Sequence, residues 1–339
     1  MTILRRLLKR PQSGSPAPVG STSDTPAAAA PPTARELYDA LLVRLGFDSL
    51  TPGWFPELRD LHRHSRERRL QLFPDFFYAP VFSPADLPAA VWAGTFPHCG
   101  VFDLEQQRTF LRETPSFAKE LSALPYDRPA ENSAGFYWGN DQFSHSDASL
   151  YFSILRRFRP ARLVEVGSGH STKLAARALK ENGSGRILCI DPHAPSWLAE
   201  LEGSIEVLAQ PVQQVRDEVF LGLSDHDVLF IDGSHISKTG SDVNHLFLRI
   251  LPQMPKGVIV HVHDICLPYE YPKAWSEDVL CYWNEQYVLA ALLANSEKWE
   301  ILLGNYFMMK ADGEALRPFA PDVAGVFLGG GSLWMRARS

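Results

Sequence analysis

Two aspartates stand out for where they fall. Asp232 follows the apolar run VLFI and Asp264 follows VIVHVH, so each closes a segment that reads as a buried strand. Strand ends that lie side by side would bring the two carboxylates together. Paired carboxylates with an open face suit a divalent cation with oxygen ligands, and Asp232 and Asp264 are the candidate metal ligands for Mg²⁺. His235 stands in Asp232-Gly233-Ser234-His235, and an imidazole that titrates near neutrality makes it the favoured general base. His235 or His263 could add a contact to the metal, although imidazole favours zinc-like ions. Base and metal are both open as ways to remove a proton from a hydroxyl.

A second group lies upstream. The run ARLVEVG leads directly into Gly167-Ser168-Gly169-His170-Ser171-Thr172. Glycines at such a turn let the backbone approach a ligand, and Ser171 or Thr172 can cap the helix that follows. Glu165 sits two residues before Gly167, and Asp191 ends the next apolar run, RILCID. An acid at the tip of a second strand suits the two hydroxyls of a ribose. The loop lacks the third glycine of GxGxxG, so a ligand without a pyrophosphate fits it better.

The elements that must position these residues are legible from about Gly139 onward. ARLVEVG, GRILCID, SIEVLAQ, HDVLFIDG and KGVIVHVHD read as strands, and STKLAARALKE and SDVNHLFLRILPQM as helices. Val/Ile/Leu-rich strands separated by helices signal a parallel sheet covered on both faces. WEILLGNYFMM and GSLWMRAR supply its last strands. His261 and His263 share one face of their strand, and His261 is read as core. Asp242 and Asn244 open a helix and are read as cap and surface. The stretch from Leu267 to Tyr287 holds Tyr269, Tyr271, Trp275, Tyr282, Trp283, Asn284 and Glu285, and its rings could wall a substrate pocket or pack against the aromatic N-terminal region. GFYWGNDQFSH (135–145) could fold over the ligand as a lid.

VEVGSGHST resembles the first motif of class I S-adenosylmethionine (SAM) dependent methyltransferases, where an apolar residue and an acid precede Gly-x-Gly. The span from about Phe136 to Tyr287 is similar to the group that carries DGSH after the fourth strand and HDI after the fifth, here Asp232 to His235 and His263 to Ile265. Tyr271-Pro272 and Trp283-Asn284-Glu285 match further segments of that group. The resemblance implies an α/β fold: a Rossmann-like, doubly wound, mostly parallel seven-stranded sheet with a helical N-terminal region. It implies that Gly167, Ser168 and Gly169 line the methionine and ribose part of SAM. Glu165 would organise the methionine end, Asp191 would hold the ribose hydroxyls, and residues 210–213 would lie near the adenine. Ser171 and Asp232 complete the expected cofactor set. Metal-dependent O-methyltransferases of the catechol type place acids at the same two strand ends, with an Asn after the second; here Ile265 stands in that place.

The expected function is therefore SAM-dependent methyl transfer, to oxygen of a small molecule or sugar, by in-line displacement, with His235, Asp232 and Asp264 as the catalytic set. A SAM-binding protein that no longer catalyses and an NAD-dependent oxidoreductase are the alternatives. Expected domains are a disordered tail over 1–33, a helical region over 34–135 and the SAM-binding domain over 136–339. The 339 residues carry a net charge of −6, which gives no basic field for nucleic acid. There is no apolar run long enough for a membrane span. The N-terminal MTILRRLLKR is broken by Arg5 and Arg6 and reads as a solvated tail rather than a secretory signal. Cys99, Cys189, Cys266 and Cys281 show no CxxC spacing, which fits a reducing cytosol. The acceptor and the oligomeric state are not encoded in any motif.

Overall fold

The computed structural model describes residues 80–100, 102–129, 135–201 and 205–339, together with Thr33, Glu36, Leu37 and Ala40. The expected tail, apart from Thr33, and most of 34–79 lie outside the described residues. The larger of two compact units runs from Leu87 to Ser339. Of the smaller, the described C-terminal part is a 3-10 turn over Pro84–Asp86.

Seven strands form one sheet: β1 (Arg162–Val166), β2 (Arg186–Ile190), β3 (Ile205–Leu208), β4 (Val228–Ile231), β5 (Ile259–Val262), β6 (Trp299–Gly304) and β7 (Leu333–Ala337). Their order is β3-β2-β1-β4-β5-β7-β6. β1 to β5 run parallel, and β7 lies antiparallel between β5 and β6. This is the doubly wound, mostly parallel sheet expected from the sequence. The first crossover leaves β1 toward one edge and the β3–β4 connection returns to the other side of β1, so a topological switch point lies between β1 and β4.

Strand alternation sorts the core into two layers. Val164, Val166, Leu229, Ile231, Val260 and Val262 pack with Phe247, Ile250 and Leu289 on one face. Leu163, Val228, Phe230 and Ile259 pack on the other with Leu150, Tyr151 and Phe152. Those last three belong to α2 (His145–Phe158), which pairs with α3 (His170–Asn182). In the region before the sheet, α1 (Leu104–Glu113) lies along β6, where the Gln107 Oε1 accepts from Gly304 N at 2.9 Å. α1 thereby covers a sheet edge, a standard protection against strand addition.

The predicted helix 241–254 is present but changes pitch. It starts as α4 (Asp242–His245), widens into a π turn over Leu246–Ile250 and tightens to 3-10 over Leu251–Gln253. Pro252 supplies no N–H there, which explains the late break. Two further helices flank the late strands, α5 (Glu285–Leu293) and α6 (Asn305–Asp312). Among the described residues no helix is long and apolar enough to cross a membrane.

One buried carboxylate locks the β6–β7 end to the rest. Asp147, in the first turn of α2, accepts from Asn305 Nδ2 and from the backbone N–H groups of Gly331 at 2.7 Å and Ser332 at 3.2 Å, and from the Ser332 hydroxyl. Gly331 O in turn receives Ile265 N, next to Asp264. Each buried donor left without a partner costs about 1–3 kcal/mol. Asp147→Ala should therefore lower the unfolding free energy by at least about 3 kcal/mol in urea titrations. A loss below about 1 kcal/mol would mean that water replaces the carboxylate at no cost.

Candidate functional site

The carboxyl ends of β1, β2, β4 and β5 carry Gly167, Asp191, Asp232 and Asp264 side by side. Ladder hydrogen bonds continue past the strands: Gly167 N to Ile190 O (3.0 Å), Asp191 N to Leu208 O (3.1 Å), Asp232 N to Val166 O (2.9 Å) and His263 N to Ile231 O (2.9 Å). The sheet thus fixes the backbone of each candidate residue. Above them opens a cavity of about 1020 Å³. Gly167, Ser168, Gly169, Ser171, Asp191, Asp232, His235 and Asp264 all line it. This is the place where ligands bind in open α/β sheets.

Glu165 does not reach the cavity wall. It is fully buried beneath the turn and accepts a hydrogen bond from the Ser171 hydroxyl. Ser171 therefore does not cap α3. Gly169 holds the N-cap position, and the Thr172 hydroxyl accepts from its N–H at 3.0 Å. Burial raises the Glu165 carboxyl to about 8, against the opposing hydrogen bonds of Ser171 and Thr172. Between the ordinary carboxylate range and about pH 8, the folded chain holds a proton there that the unfolded chain gives up. Stability must then fall as pH rises across that window. Urea unfolding at pH 5 and pH 8 should show a smaller loss for Glu165→Gln than for the parent chain. Equal losses would mean that Glu165 is already ionised in the fold.

Asp191 binds the turn as well as facing the cavity. Its Oδ2 accepts from Ser168 N (3.1 Å) and Oγ (2.8 Å), and its Oδ1 from His193 N (2.7 Å). Of residues 210–213, which follow β3, Pro211, Val212 and Gln213 line the cavity as well. Asp141, Gln142 and Phe143 line it from the expected lid segment, whereas none of the described residues between 80 and 129 does. His170 also faces the cavity, edge-on to Tyr137 at 5.0 Å. Burial pushes its pKa down to about 4, so the ring is neutral there.

The chemistry-bearing end gathers three side chains. His235 Nε2 lies 3.3 Å from Asp232 Oδ1 and 3.8 Å from Asp264 Oδ2. One ligand atom from each of Asp232, His235 and Asp264 falls within 4.8 Å of the other two. Two of the three carry non-glycine left-handed backbone, His235 at φ 60° and Asp264 at φ 55°. Such conformations cost of order 1–3 kcal/mol and persist where the surroundings over-determine them. Here Asn284 N and Glu285 N both donate to His235 O, at 3.1 and 3.3 Å. Cys266 N donates to Gln286 Oε1 at 3.1 Å, just beyond Asp264.

Glu285, named in the sequence only as part of the Trp283-Asn284-Glu285 segment, has a role that sequence reasoning missed. It is 1% exposed and binds His235 Nδ1. Burial alone would push the His235 ring toward neutrality, but the carboxylates of Glu285, Asp232 and Asp264 outweigh it and hold the pKa well above the usual range. That proton and a cation at Nε2 exclude one another, since both would use the same lone pair, so a bound metal ion would displace the proton. Asp242 was also undervalued. Ser241 caps α4 by accepting from Asn244 N, while Asp242 accepts from Ser234 N at 2.7 Å and braces the Asp232–His235 turn. A side chain at Gly233 would collide with that Asp242 carboxylate.

His261 is core, as read, but is held by rings rather than hydrogen bonds. It stacks on Phe230 at 4.3 Å and meets Trp334 edge-on at 4.5 Å. The 267–287 stretch both lines the cavity and packs against residues that precede the sheet. Trp275, Tyr282 and Trp283 line the cavity, and the Trp283 ring lies 4.2 Å from that of His235. Tyr269 bridges Thr95, and Tyr287 meets Phe96 edge-on at 5.9 Å.

Residues 164–265 match the family model described as a methyltransferase domain. The resemblance to class I methyltransferases thus rests on a match that spans β1 to the turn after β5. An uncharacterized protein of Archaeoglobus fulgidus is 32% identical over 96 residues, which are 27% of this chain and 43% of that protein. The chain therefore spans less than half the length of this curated relative. Among solved structures, the O-methyltransferase TomG of Streptomyces achromogenes, solved with SAM, is similar at 16% identity and a TM-score of 0.37, covering 70% of this chain and 92% of that one. An O-methyltransferase of Bacillus cereus, solved with S-adenosylhomocysteine (SAH), aligns at 12% identity and a TM-score of 0.34, covering 70% and 93%.

Proposed function

We propose that the methyltransferase domain of this chain binds SAM and transfers its methyl group to a hydroxyl oxygen of a small molecule or sugar. The observation that carries this reading is the single cavity that joins the Gly167–Gly169 turn and Asp191 to the Asp232/His235/Asp264 cluster. At about 1020 Å³ it lies at the upper end of the size range of small-molecule sites, with room for a cofactor and an acceptor side by side.

The residues present fit both groups. The glycine turn leaves open space at Gly169, where an added Cβ would meet nothing within 4 Å. Asp191 keeps lone pairs beyond its bonds to Ser168 and His193, and these receive the ribose hydroxyls. Asp232, His235 and Asp264 would hold a divalent cation, and such an ion lowers the pKa of a hydroxyl that it contacts. Trp275, Tyr282 and Trp283 orient the acceptor and exclude water. The Asp264 carboxylate faces the cavity and takes the hydroxyl proton. SAM bound there would supply the methyl group, the new oxygen–carbon bond forming as the carbon–sulfur bond breaks with its electron pair going to the sulfur of SAH. Alignment of nucleophile, methyl and sulfur is the main contribution of the fold.

Calorimetric titration of the full chain with SAH tests the cofactor assignment, with micromolar binding expected. Asp191→Ala should weaken that binding by roughly 1–3 kcal/mol, the size of a lost hydrogen-bond set to a charged group. No SAH binding by the parent chain would overturn the reading; unchanged affinity in the variant would remove Asp191 from it.

A further inference from the structure

The metal expected from the two aspartates alone is Mg²⁺, held by oxygen. The structure adds a nitrogen. We infer that His235 Nε2 is a direct ligand beside Asp232 and Asp264, that Glu285 positions it, and that the site takes a first-row transition-metal dication such as Mn²⁺ in preference to Mg²⁺. The inference rests on the proposed methyltransferase site and names the ion that serves it.

Three observations carry it. The first is spacing. Donors about 2.0–2.2 Å from a shared ion lie roughly 3.0–3.4 Å apart, between octahedral and tetrahedral arrangements. The 3.3 Å and 3.8 Å separations from His235 Nε2 to the two carboxylates need only a small inward shift to meet this. The second is the hold on the ring. Glu285 is fully buried and occupies Nδ1, which leaves Nε2 as the atom that faces Asp232 and Asp264. A carboxylate on the far nitrogen is the usual support of a metal-bound histidine, since it sets both tautomer and ring orientation. The ring is 8% exposed, with the Trp283 ring against it and the backbone of Asn284 and Glu285 fastened to its carbonyl. It cannot swing out to leave an all-oxygen site. The third is the open side. Among the described residues three protein ligands converge, and all three line the cavity, which leaves the remaining positions open toward it, as in catalytic rather than structural metal sites.

Donor chemistry then decides the ion. Mg²⁺ demands oxygen ligands in near-ideal octahedral geometry and keeps several waters. One imidazole with two carboxylates suits the later divalent metals better, because affinity for a nitrogen-containing site rises along the first row.

The full chain, freed of metal by chelation and dialysis, is titrated calorimetrically with Mn²⁺ and separately with Mg²⁺. Mn²⁺ should bind at least about 100-fold more tightly than Mg²⁺. Pulsed electron paramagnetic resonance of the Mn²⁺ complex should show hyperfine coupling to a directly bonded nitrogen. Glu285→Gln should keep that coupling while weakening Mn²⁺ binding about 10–100-fold. His235→Gln should abolish it and bring the two affinities together. Equal affinities in the parent chain, or a Mn²⁺ spectrum without nitrogen coupling, overturn the inference whether or not the variants fold. SAH titration of the same sample separates the two ideas. SAH binding without nitrogen coupling removes the histidine ligand and leaves the cofactor reading intact. Nitrogen coupling without SAH binding does the reverse.

Discussion

Asp264→Asn is expected to abolish turnover while leaving SAH affinity nearly unchanged. Asn matches Asp in size and is among the residues that best tolerate left-handed backbone, so the φ of 55° at this position survives the change. The amide cannot accept the hydroxyl proton, and it is a weaker cation ligand than a carboxylate. Loss of a general base alone costs about 10²–10⁴-fold in rate, and loss of a ligand adds to that. Asp264 lies at the end of β5, with β4 and β1 between it and Asp191 at the end of β2, so the cofactor end of the cavity should not register the substitution. The readout is a split between turnover and binding. Turnover near that of the parent chain would take Asp264 out of the chemistry. Loss of SAH binding together with turnover would make it a structural residue instead.

The sheet was legible because its strands are self-contained signals. VLFI and IVHV are short apolar runs bounded by Asp227 and Asp232 or by Gly257 and Asp264, and the structure places β4 and β5 inside those bounds. Residue types at the strand ends were legible for the same reason, since in a parallel sheet the carboxyl ends gather at one edge. What escaped was every property set by distant partners. Glu285 binds His235 across 50 residues of chain, a pairing that the Trp283-Asn284-Glu285 segment does not reveal by itself. The raised pKa of His235 follows from three carboxylates on separate segments, which the residue type alone does not reveal. Asp242 looked like a helix cap because it sits one residue from the position that Ser241 holds. Asp147 reaches partners 158 and 185 positions away, in Asn305 and Ser332. No periodicity or spacing encodes contacts of that range.

A pair of glycine substitutions in the turn after β1 should separate fold from cofactor binding. Gly167 has φ of +82°, and an added Cβ would collide with the carbonyl oxygen of Asp232. That oxygen is backbone, and Asp232 N is tied to Val166 O at 2.9 Å, so no side-chain rotation relieves the clash. Gly167→Ala must therefore part β1 from β4 where the two halves of the cavity join. Strain and overpacking of this kind cost about 1–3 kcal/mol each, so a loss of about 3 kcal/mol or more in unfolding free energy is expected. SAH binding should be lost with it. Gly169 is the counter-case. Its φ of −177° is extended backbone open to any residue, and a Cβ there meets no protein atom within 4 Å. Gly169→Ala should cost no more than about 1 kcal/mol of unfolding free energy, the size of a weakened N-cap and well short of the loss at Gly167. Yet its methyl group enters the space lined by the turn, so SAH affinity should drop. Stability largely kept and binding weakened at Gly169, with both lost at Gly167, is the pattern of a turn that cradles a ligand. Unchanged SAH affinity in Gly169→Ala would mean that the cofactor lies elsewhere in the cavity.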